Sequence, residues 1–517
     1  MLQVKLNIRI LLFLLSFFII SCASRHIDEN RLDRITSSAL PPAKTGTFAD
    51  LAKRILPADS SNRSIILPID RNDEGLRWRL MLFDLATTSI DIQTYSWKDD
   101  EAAVLLFDRV LAAADRGVKV RILVDDLQIF NDEGIAIIDS HPNMEVRLFN
   151  PWFGRETTIG KGIEFLFDMD RLNQRMHNKL IIVDNLVSIM GGRNFSNDYY
   201  GLSSLFNFRD MDAITLGPVS KEISNAFDIY WNHEWAYPGD VFTDEEIEPE
   251  QLDELRKNTR TYLDESSQLL SQFPLRPTKW DSHLDLLATG SLADSIFVVY
   301  DDPPKTVAGS KHVRQVQKIK DLHVRIEKEI IYASAYFIPD SADIREFKEL
   351  TERGVHVKVL TNSLGSNDAA LTNSVYKKWR RPLIMAGVEL YELHHNADDR
   401  KLSENPEVEP EWLALHTKYI VVDRKISFAG SMNMDPRSLK INTEVGIIIY
   451  DSVYGEKLAQ FAERDMSPRN AWRVGIDEDG ELYWESKDGR VSSQPARTWW
   501  NRVKDTFNSI LPIDDQL

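Results

Sequence analysis

The feature that most constrains this chain is an internal duplication. The stretch MHNKLIIVDNLVSIMGGRN at 176–194 returns without a gap as LHTKYIVVDRKISFAGSMN at 415–433. The two copies share a histidine, a lysine, an aspartate, a glycine and an asparagine at the same spacing. A lone H-x-K-x₄-D pattern is a weak signal, but two matched copies indicate that a whole region has been duplicated.

The surroundings of each copy predict the same local fold twice. The octet RGVKVRIL at 116–123 matches RGVHVKVL at 353–360, and each follows a stretch with helical periodicity and, before it, a strand-like run (101–115 after 89–95; 341–352 after 330–336). Both copies therefore indicate a βαβ unit. We predict an α/β fold of two tandem domains, each a mixed β-sheet flanked by helices. We expect a pseudo-twofold relation between them, with one active site at their interface.

The spacing within the duplicated motif brings polar groups together. Each motif runs into a β-rich buried stretch, so we expect it on a central strand. Side chains alternate along a strand, so His177 and Lys179 point the same way, and the glycine turn returns Asn194 beside them. With the second copy, two histidines, two lysines and two asparagines converge. That set suits a phosphodiester, whose oxygens need donors and whose phosphorus needs a group on each side.

The N-terminus resembles a bacterial lipoprotein signal. Lys5 and Arg9 precede an apolar run at 10–20, which is too short to span a bilayer but right for the core of a secretory signal. The run leads to Cys22, the only cysteine of the chain. We expect lipidation at Cys22 and a bacterial cell-envelope protein, anchored to a membrane with its catalytic part outside the cytoplasm. An uncleaved anchor, or cleavage elsewhere, is the alternative.

Charge and cysteine content exclude several classes of protein. The formal net charge is −18, and removing the leader with Lys5 and Arg9 would take it to −20. An acidic chain argues against a general nucleic-acid binder. One cysteine excludes a disulfide framework and a Cys-based zinc site within a single chain.

These observations divide the chain into six segments. We expect a lipoprotein signal peptide at 1–21, a polar tether at 22–63, a first domain at 64–240, an acidic linker and helix at 241–283, a second domain at 284–475 and a C-terminal extension at 476–517. The acidic run within the linker is interpreted as a solvated helix face.

The duplicated motif resembles that of the phospholipase D superfamily, a repeated H-x-K-x₄-D followed by G-[SG]-x-N. The resemblance implies two such domains sharing one site, with no metal and no other cofactor. It implies that one histidine attacks phosphorus and forms a covalent phosphohistidine, while the other protonates the leaving alkoxide and then deprotonates an alcohol or water. By family habit His177 is the nucleophile and His416 the acid, although the symmetry of the sequence does not decide between them.

The resemblance also assigns roles to the neighbouring residues. The expected catalytic set is His177, Lys179, Asp184, Asn194, Asp210, His416, Lys418, Asp423, Asn433 and Glu444. Asp210 and Glu444 are each expected to hold the histidine of their own repeat. Asp184 and Asp423 close their strands, so a turn role is favoured over catalysis. Ser431 is expected to bind substrate, and Gly192 takes its place in the first half-site without a hydroxyl.

Longer strings resemble bacterial enzymes of the cardiolipin synthase C type over about 64–517. They include 191–194, 208–212, 335–339, 360–364, 378–383, 387–393 and 433–438. The resemblance implies a phosphatidyltransferase, a cardiolipin synthase, with phosphatidylglycerol, and phosphatidylethanolamine as a second candidate, for phospholipid substrates. The N-terminal leader, which departs from this enzyme type, adds the expected membrane tether. The alternatives are a phospholipase D-type hydrolase releasing phosphatidic acid and, more remotely, a nuclease or a catalytically inert lipid-binding envelope protein.

Two further stretches have both a lipid-contact and a structural interpretation. The aromatic and aliphatic residues at 149–153 and 163–167 either line a water-poor mouth of the site or pack as ordinary core and loop. The basic residues Lys377, Lys378, Arg380 and Arg381 either meet anionic headgroups or form an exposed helix face.

Overall fold

A computed structural model describes residues 34–57, 63–128, 131–154, 168–243, 246–303 and 326–508, together with Lys161, Glu164 and Ile319. The expected signal peptide and Cys22 lie outside the described residues. Within the described ranges, no helix combines the length and the apolarity needed to cross a bilayer.

Within the described residues, the first repeat contributes ten strands, nine of which form one mixed sheet with helices against it. Its strands are β1 (Ile65–Ile69), β2 (Ser89–Ser96), β3 (Lys119–Gln128), β4 (Met144–Phe149), β5 (Leu180–Val183), β6 (Val187–Gly191), β7 (Phe206–Arg209), β8 (Asp212–Leu216), β9 (Ala236–Pro238) and β10 (Ser291–Leu292). Its helices are α1 (Thr47–Ile55), α2 (Asn72–Leu85), α3 (Glu101–Asp115), α4 (Asp132–Asp139), α5 (Met169–Leu172), α6 (Val219–Trp231), α7 (Pro249–Glu265) and α8 (Asp281–Ala288).

The second repeat builds the matching sheet. Its strands are β11 (Ser295–Tyr300), β12 (Glu329–Ser334), β13 (His356–Asn362), β14 (Glu389–Leu393), β15 (Trp412–Leu415), β16 (Lys418–Val422), β17 (Ile426–Gly430), β18 (Val445–Tyr450), β19 (Ala471–Ile476), β20 (Leu482–Ser486) and β21 (Gly489–Val491). Its helices are α9 (Ser341–Glu352), α10 (Ala370–Tyr376), α11 (Arg380–Met385), α12 (Pro436–Lys440), α13 (Ser452–Asp465) and α14 (Trp499–Asn508).

The two sheets share one topology, which confirms the predicted fold class. The strand order is β10-β1-β8-β6-β5-β2-β3-β4-β9 in the first sheet and β11-β18-β17-β16-β12-β13-β14-β19-β20-β21 in the second. In the first, β2, β3 and β4 run parallel and the other neighbours antiparallel, and β12, β13 and β14 repeat this in the second. The strands that follow the two histidines, β5 and β16, both take interior positions.

The repeated Arg-Gly pair marks the end of the helix in each βαβ unit. Asp100 begins α3 by accepting a hydrogen bond from the backbone N–H of Ala103, and Asp340 begins α9 in the same way. After each helix the backbone turns through Gly117 and Gly354, at φ of 96° and 87°. Glycine takes this left-handed conformation without the steric cost of a Cβ, so the chain turns directly into the next strand.

The inner faces of the two sheets share one hydrophobic core. Ile182 and Met190 of the first repeat belong to the same buried cluster as Val421 and Ile447 of the second. The outer faces pack instead on the helices of their own repeat, as Ile181 does in the first. Since β5 and β16 are buried on both faces, they read as continuous apolar runs.

Segments that were expected to lie outside the domains contact them. Asn185 donates to the carbonyl of Leu40 at 2.8 Å, Arg147 donates to that of Ile35 at 2.6 Å, and Phe48 of α1 is fully buried. The described part of the predicted tether is therefore docked on the first repeat, because its carbonyls and apolar side chains find partners there. The C-terminal extension adds β20 and β21 to the second sheet and ends in α14, which packs on α10.

Candidate active site

Two short parallel pairings between the repeats position the histidines. β7 of the first repeat pairs with β15 of the second, with Arg209 opposite Leu415. On the other side of the pseudo-twofold axis, Met176 pairs with Thr443. The residue that follows each of these four is a histidine or a carboxylate, so the pairings set His416 beside Asp210 and His177 beside Glu444.

Each histidine is held by a carboxylate of the opposite repeat. Nδ1 of His177 lies 2.9 and 3.0 Å from the two carboxylate oxygens of Glu444, and Nδ1 of His416 lies 2.7 Å from Oδ2 of Asp210. The expectation that each carboxylate serves its own repeat is therefore wrong. The reason is the strand pairing across the interface, which the local sequence spacing does not contain. With Nδ1 engaged, Nε2 is the ring nitrogen that each histidine has available for chemistry.

The two half-sites differ in how they support the carboxylate. The Ser431 hydroxyl is fully buried and donates to Glu444 at 2.5 Å. A Cβ at Gly192 would lie 2.4 Å from Oδ1 of Asp210, so only glycine fits there. In the structure the serine hydroxyl supports the longer carboxylate and the glycine makes room for the shorter one. A substrate-binding role for these two positions stays a prediction.

The lysines of both motifs enter the same site. The ammonium of Lys179 donates to the carbonyl of His177 at 2.7 Å, and Lys418 donates to that of His416. The charges of Lys418, Glu444 and Asp210 all act on Lys179. The two motifs therefore converge on one electrostatic environment.

The asparagines leave acceptors inside the protein. Asn194 donates its amide to the hydroxyl of Tyr199 at 2.8 Å. Among the described residues, Oδ1 of Asn194 and Oδ1 of Asn433 are buried with no hydrogen-bond partner. Both atoms are acceptors, and buried polar atoms are normally satisfied, so a donor such as a substrate hydroxyl would complete them.

Burial and the two ammonium groups set the protonation of the site. Burial, reinforced by Lys179 and Lys418, lowers the pKa of His177 well below its usual value, and the same causes lower the pKa of His416. Burial lowers the pKa of Lys179 to about 7 and that of Lys418 to about 8. Burial raises the pKa of Glu444 to about 8 and also raises the pKa of Asp210. The site without substrate thus favours neutral imidazoles.

Aromatic rings close the site around the imidazoles. The ring of Tyr95 meets His177 edge-on at 5.0 Å between centroids, while Tyr199 and Phe208 lie 5.1 and 4.7 Å from His416. His177 is 9% exposed and His416 5% exposed. These aromatic residues are not among those predicted from the sequence for the site. The one signal available is the position of Tyr95 at the end of the strand-like run of the first repeat.

The two motif aspartates lie in the turns after their strands. Asp184 and Asp423 both have positive φ, at 56° and 49°. Asp184 accepts hydrogen bonds from the backbone N–H groups of Thr87, Thr88 and Ser89. Asp423 does the same for residues 327–329. Both carboxylates tie a strand end to the neighbouring strand, as the favoured turn role requires, and not to an imidazole.

The two ambiguous stretches resolve in part. Phe149 is core, since it is fully buried against Tyr230, whereas Trp152 lies near the guanidinium of Arg175, two residues before His177. Of the expected mouth residues at 163–167, only Glu164 lies within the described residues. In the basic cluster Arg380 is buried and paired with Glu392 at 2.6 Å, so the cluster is not a uniform exposed face.

Comparison with known proteins identifies the family of this chain. The family described as "Cardiolipin synthase, PLD-like domain" matches residues 80–231 and 324–466. Cardiolipin synthase C of Escherichia coli K12 is 32% identical over 90% of this chain and 99% of that protein. Cardiolipin synthase 1 of Staphylococcus epidermidis RP62A is 23% identical over 77% of this chain and 67% of that protein.

A solved structure shows the same fold. Phosphatidylserine synthase of Haemophilus influenzae superposes with a TM-score of 0.53 and 16% identity, over 81% of this chain and 91% of that chain. The family match covers both repeats, and each matched segment contains one histidine–lysine motif. The chain therefore belongs to the phospholipase D superfamily, as an enzyme of its cardiolipin synthase-like family.

Proposed function

We propose that this protein is a membrane-tethered phosphatidyltransferase that makes cardiolipin through a covalent phosphohistidine. The observation that carries the proposal is the crosswise pair of buried imidazoles, each fixed at Nδ1 by a carboxylate of the other repeat. The charges of Lys179 and Lys418 act on both imidazoles, so the four side chains share one site. The family relationship supports a phospholipid substrate.

In the first step, Nε2 of His177 attacks phosphorus and forms the P–N bond, while the P–O bond to the leaving alcohol breaks. Nε2–H of His416 gives its proton to that alcohol. In the second step, the hydroxyl of a phosphatidylglycerol loses its proton to His416 and attacks phosphorus, and the P–N bond breaks. The ammonium groups of Lys179 and Lys418 stabilise the charge on the non-bridging oxygens throughout.

The protonation states of the two histidines suit these two reaction steps. A nucleophilic imidazole must be neutral, which the lowered pKa of His177 favours. The acid must carry a proton, and in the free enzyme the two ammonium groups oppose that at His416. A bound phosphodiester brings a negative charge that offsets the lysines, so substrate binding itself raises the pKa of His416.

The aromatic surroundings of the site favour transfer over hydrolysis. Both imidazoles are nearly buried, and rings of Tyr95, Tyr199 and Phe208 contact them. Excluding water from a phosphoenzyme leaves a lipid hydroxyl as the competing nucleophile.

Product analysis tests the proposal. Purified protein in mixed vesicles of phosphatidylglycerol and phosphatidylethanolamine should form cardiolipin, and His177→Ala and His416→Ala should each abolish it. Release of phosphatidic acid alone would instead establish a hydrolase. Omitting phosphatidylethanolamine identifies the donor lipid, because unchanged cardiolipin formation would assign that role to phosphatidylglycerol.

The membrane tether is proposed at Cys22, with the catalytic part outside the cytoplasm. About a dozen residues separate Cys22 from the docked segment at Arg34, so an anchor there holds the folded part within roughly 40 Å of the bilayer. Cys22→Ser should leave an unlipidated precursor, visible as a changed mass and a loss of acyl labelling. An unchanged mature mass would refute lipidation at this position.

A further inference from the structure

The C-terminal helix α14 has its polar face against the protein and its aromatic face outward. At about 100° per residue, Trp499, Trp500, Val503 and Phe507 fall within one arc, and Asp505 lies on the opposite side. Trp499, Trp500 and Phe507 are 60%, 57% and 70% exposed, whereas Asp505 is fully buried. This is the reverse of an ordinary surface helix, which buries its apolar face.

A buried polar network fixes α14 in this orientation. The carboxylate of Asp505 accepts hydrogen bonds from Asn373 and Lys377 at 2.7 Å each and from Gln494 at 3.0 Å. Arg380 completes the network by donating to Gln494 and Asn373. Two members of the basic cluster thus hold α14 in place. Since burying a carboxylate is costly without such partners, the outward aromatic face is a specified feature of the fold.

The helix also lies next to an element of the active site. Arg497, just before α14, stacks on Trp412 at 3.6 Å and donates to the carbonyl of Gly365 at 2.7 Å. Trp412 begins β15, the strand that leads to His416. The segment that leads into α14 therefore contacts the strand that directly precedes His416.

We propose that α14 docks the catalytic part on a phospholipid bilayer through Trp499, Trp500 and Phe507. Tryptophan favours the bilayer interface, where its ring is buried and its N–H stays hydrated. The exposed side chains of Arg502 and Lys504 flank the aromatic face and suit an anionic surface such as phosphatidylglycerol. An exposed apolar patch on a folded protein marks a contact surface, and an interfacial helix of this kind lies in the plane of the bilayer. The inference rests on the proposed function for its lipid, but concerns a separate surface.

Depth-dependent quenching tests this surface on the intact membrane-bound chain. Vesicles that contain phosphatidylglycerol brominated near the headgroup should quench part of the tryptophan emission of the wild-type protein. Trp499→Phe/Trp500→Phe should lose that part. Trp280→Phe, which alters a buried tryptophan in the core of the first repeat, is the control and should retain it. Equal quenching of the wild type and the double variant would overturn the proposal.

A second variant measures the contribution to catalysis. Trp499→Ala/Trp500→Ala/Phe507→Ala should lower turnover on vesicles about tenfold, which corresponds to about 1.4 kcal/mol of lost docking. Val453→Ala removes a comparably exposed residue of α13 and should not change turnover. Quenching without any phospholipid turnover would contradict the proposed function but support the docking surface. Turnover without quenching would support the proposed function but contradict the docking surface. If the wild-type protein self-associates and the triple variant does not, the surface binds a second copy of the chain.

Discussion

At the residue scale, the site is symmetric in its imidazoles and lysines but not in its carboxylates. Glu444 accepts a hydrogen bond from the hydroxyl of Ser431. Asp210 instead packs against Gly192 and accepts a hydrogen bond from the N–H of Met211 at 2.7 Å. The longer side chain of Glu444, supported by a hydroxyl, and the shorter side chain of Asp210, beside a glycine, therefore contact their imidazoles from different backbone positions. The two histidines therefore have different partners even where the motifs match.

Crosswise pairing predicts which variants behave alike. With a p-nitrophenyl phosphodiester, whose leaving group needs no acid, His416→Ala and Asp210→Asn should still release a burst of nitrophenol. His177→Ala and Glu444→Gln should lose the burst, since the nucleophile is affected in both. All four should lower steady-state turnover with a lipid leaving group by about 10²–10⁴-fold. If His177→Ala and Asp210→Asn lost the burst together, each carboxylate would serve its own repeat.

The shifted pKa values predict the pH dependence of kcat/KM. Lowering the pKa of His177 keeps the nucleophile neutral to below pH 6.5, so the acid limb should lie below the usual histidine range. The lysine pKa values of about 7 and 8 mean that charge on the phosphate-binding groups is lost as the pH rises. Loss of this charge and loss of the His416 proton, whose pKa in the free enzyme is also lowered, should both reduce kcat/KM on the alkaline side. Of the two, the loss of lysine charge acts by raising KM. Because Lys179 has the lower of the two pKa values, Lys179→Arg, which keeps the charge, should move the pH at which KM rises upward. A rise of KM at the same pH in the variant would assign it to another group.

At the element scale, the turn after each motif strand joins that strand to the neighbouring strand of the sheet. Asp184 accepts bonds from three consecutive backbone N–H groups at the start of β2, and Asp423 repeats this at β12. The strand that follows His177 is thereby tied to the strand that contains Tyr95. The equal spacing of histidine and aspartate in the two copies therefore reflects this turn structure as well as the chemistry of the site.

A substitution at the turn should separate stability from chemistry. Asp184→Ala removes the acceptor of three backbone N–H groups, two part-buried and one buried. It should lower the free energy of unfolding by about 2 kcal/mol, measured by urea denaturation. The kcat of the folded fraction should stay near that of the wild type. Asp184→Asn, which keeps one acceptor oxygen, is the matched control and should fall between them. A hundredfold loss of kcat at unchanged stability would place the carboxylate in the chemistry.

Comparing sequence and structure element by element shows where prediction stops. The βαβ units and interior strands follow from the repeated apolar runs and the Arg-Gly helix ends, because these are local signals. The partner of each histidine depends on β7 pairing with β15, a contact between segments about 200 residues apart, as the separation of 206 positions between Asp210 and His416 shows. The outward face of α14 also depends on distant partners, since Asp505 finds Asn373 across 132 positions.

At the scale of the whole molecule, the two repeats form one structural unit. Their inner sheet faces share a core that includes Leu180, Val421 and Ile447, and Arg209 of the first repeat pairs with Asp465 of the second at 3.1 Å. Each repeat alone would expose an apolar sheet face and one half of the site. Folding and assembly of the site are therefore the same event.

The shared core predicts cooperative unfolding. The chain should unfold in one calorimetric transition, with the van't Hoff enthalpy close to the calorimetric enthalpy. Residues 64–292 expressed alone should bind a hydrophobic dye and lack a sharp transition, because the inner face has no partner. Two well-separated transitions in the intact chain would show that the repeats are independent domains.

The central claim is that both repeats act on one phosphate. Rapid mixing with radiolabelled phosphatidylglycerol, followed by alkaline quenching and peptide mapping, counts the phosphohistidine formed per chain. The account predicts at most one labelled histidine per chain, located at His177 and absent from His177→Ala. Labelling of both His177 and His416 in the same chain, or single variants that each retain about half of the wild-type label, would contradict it.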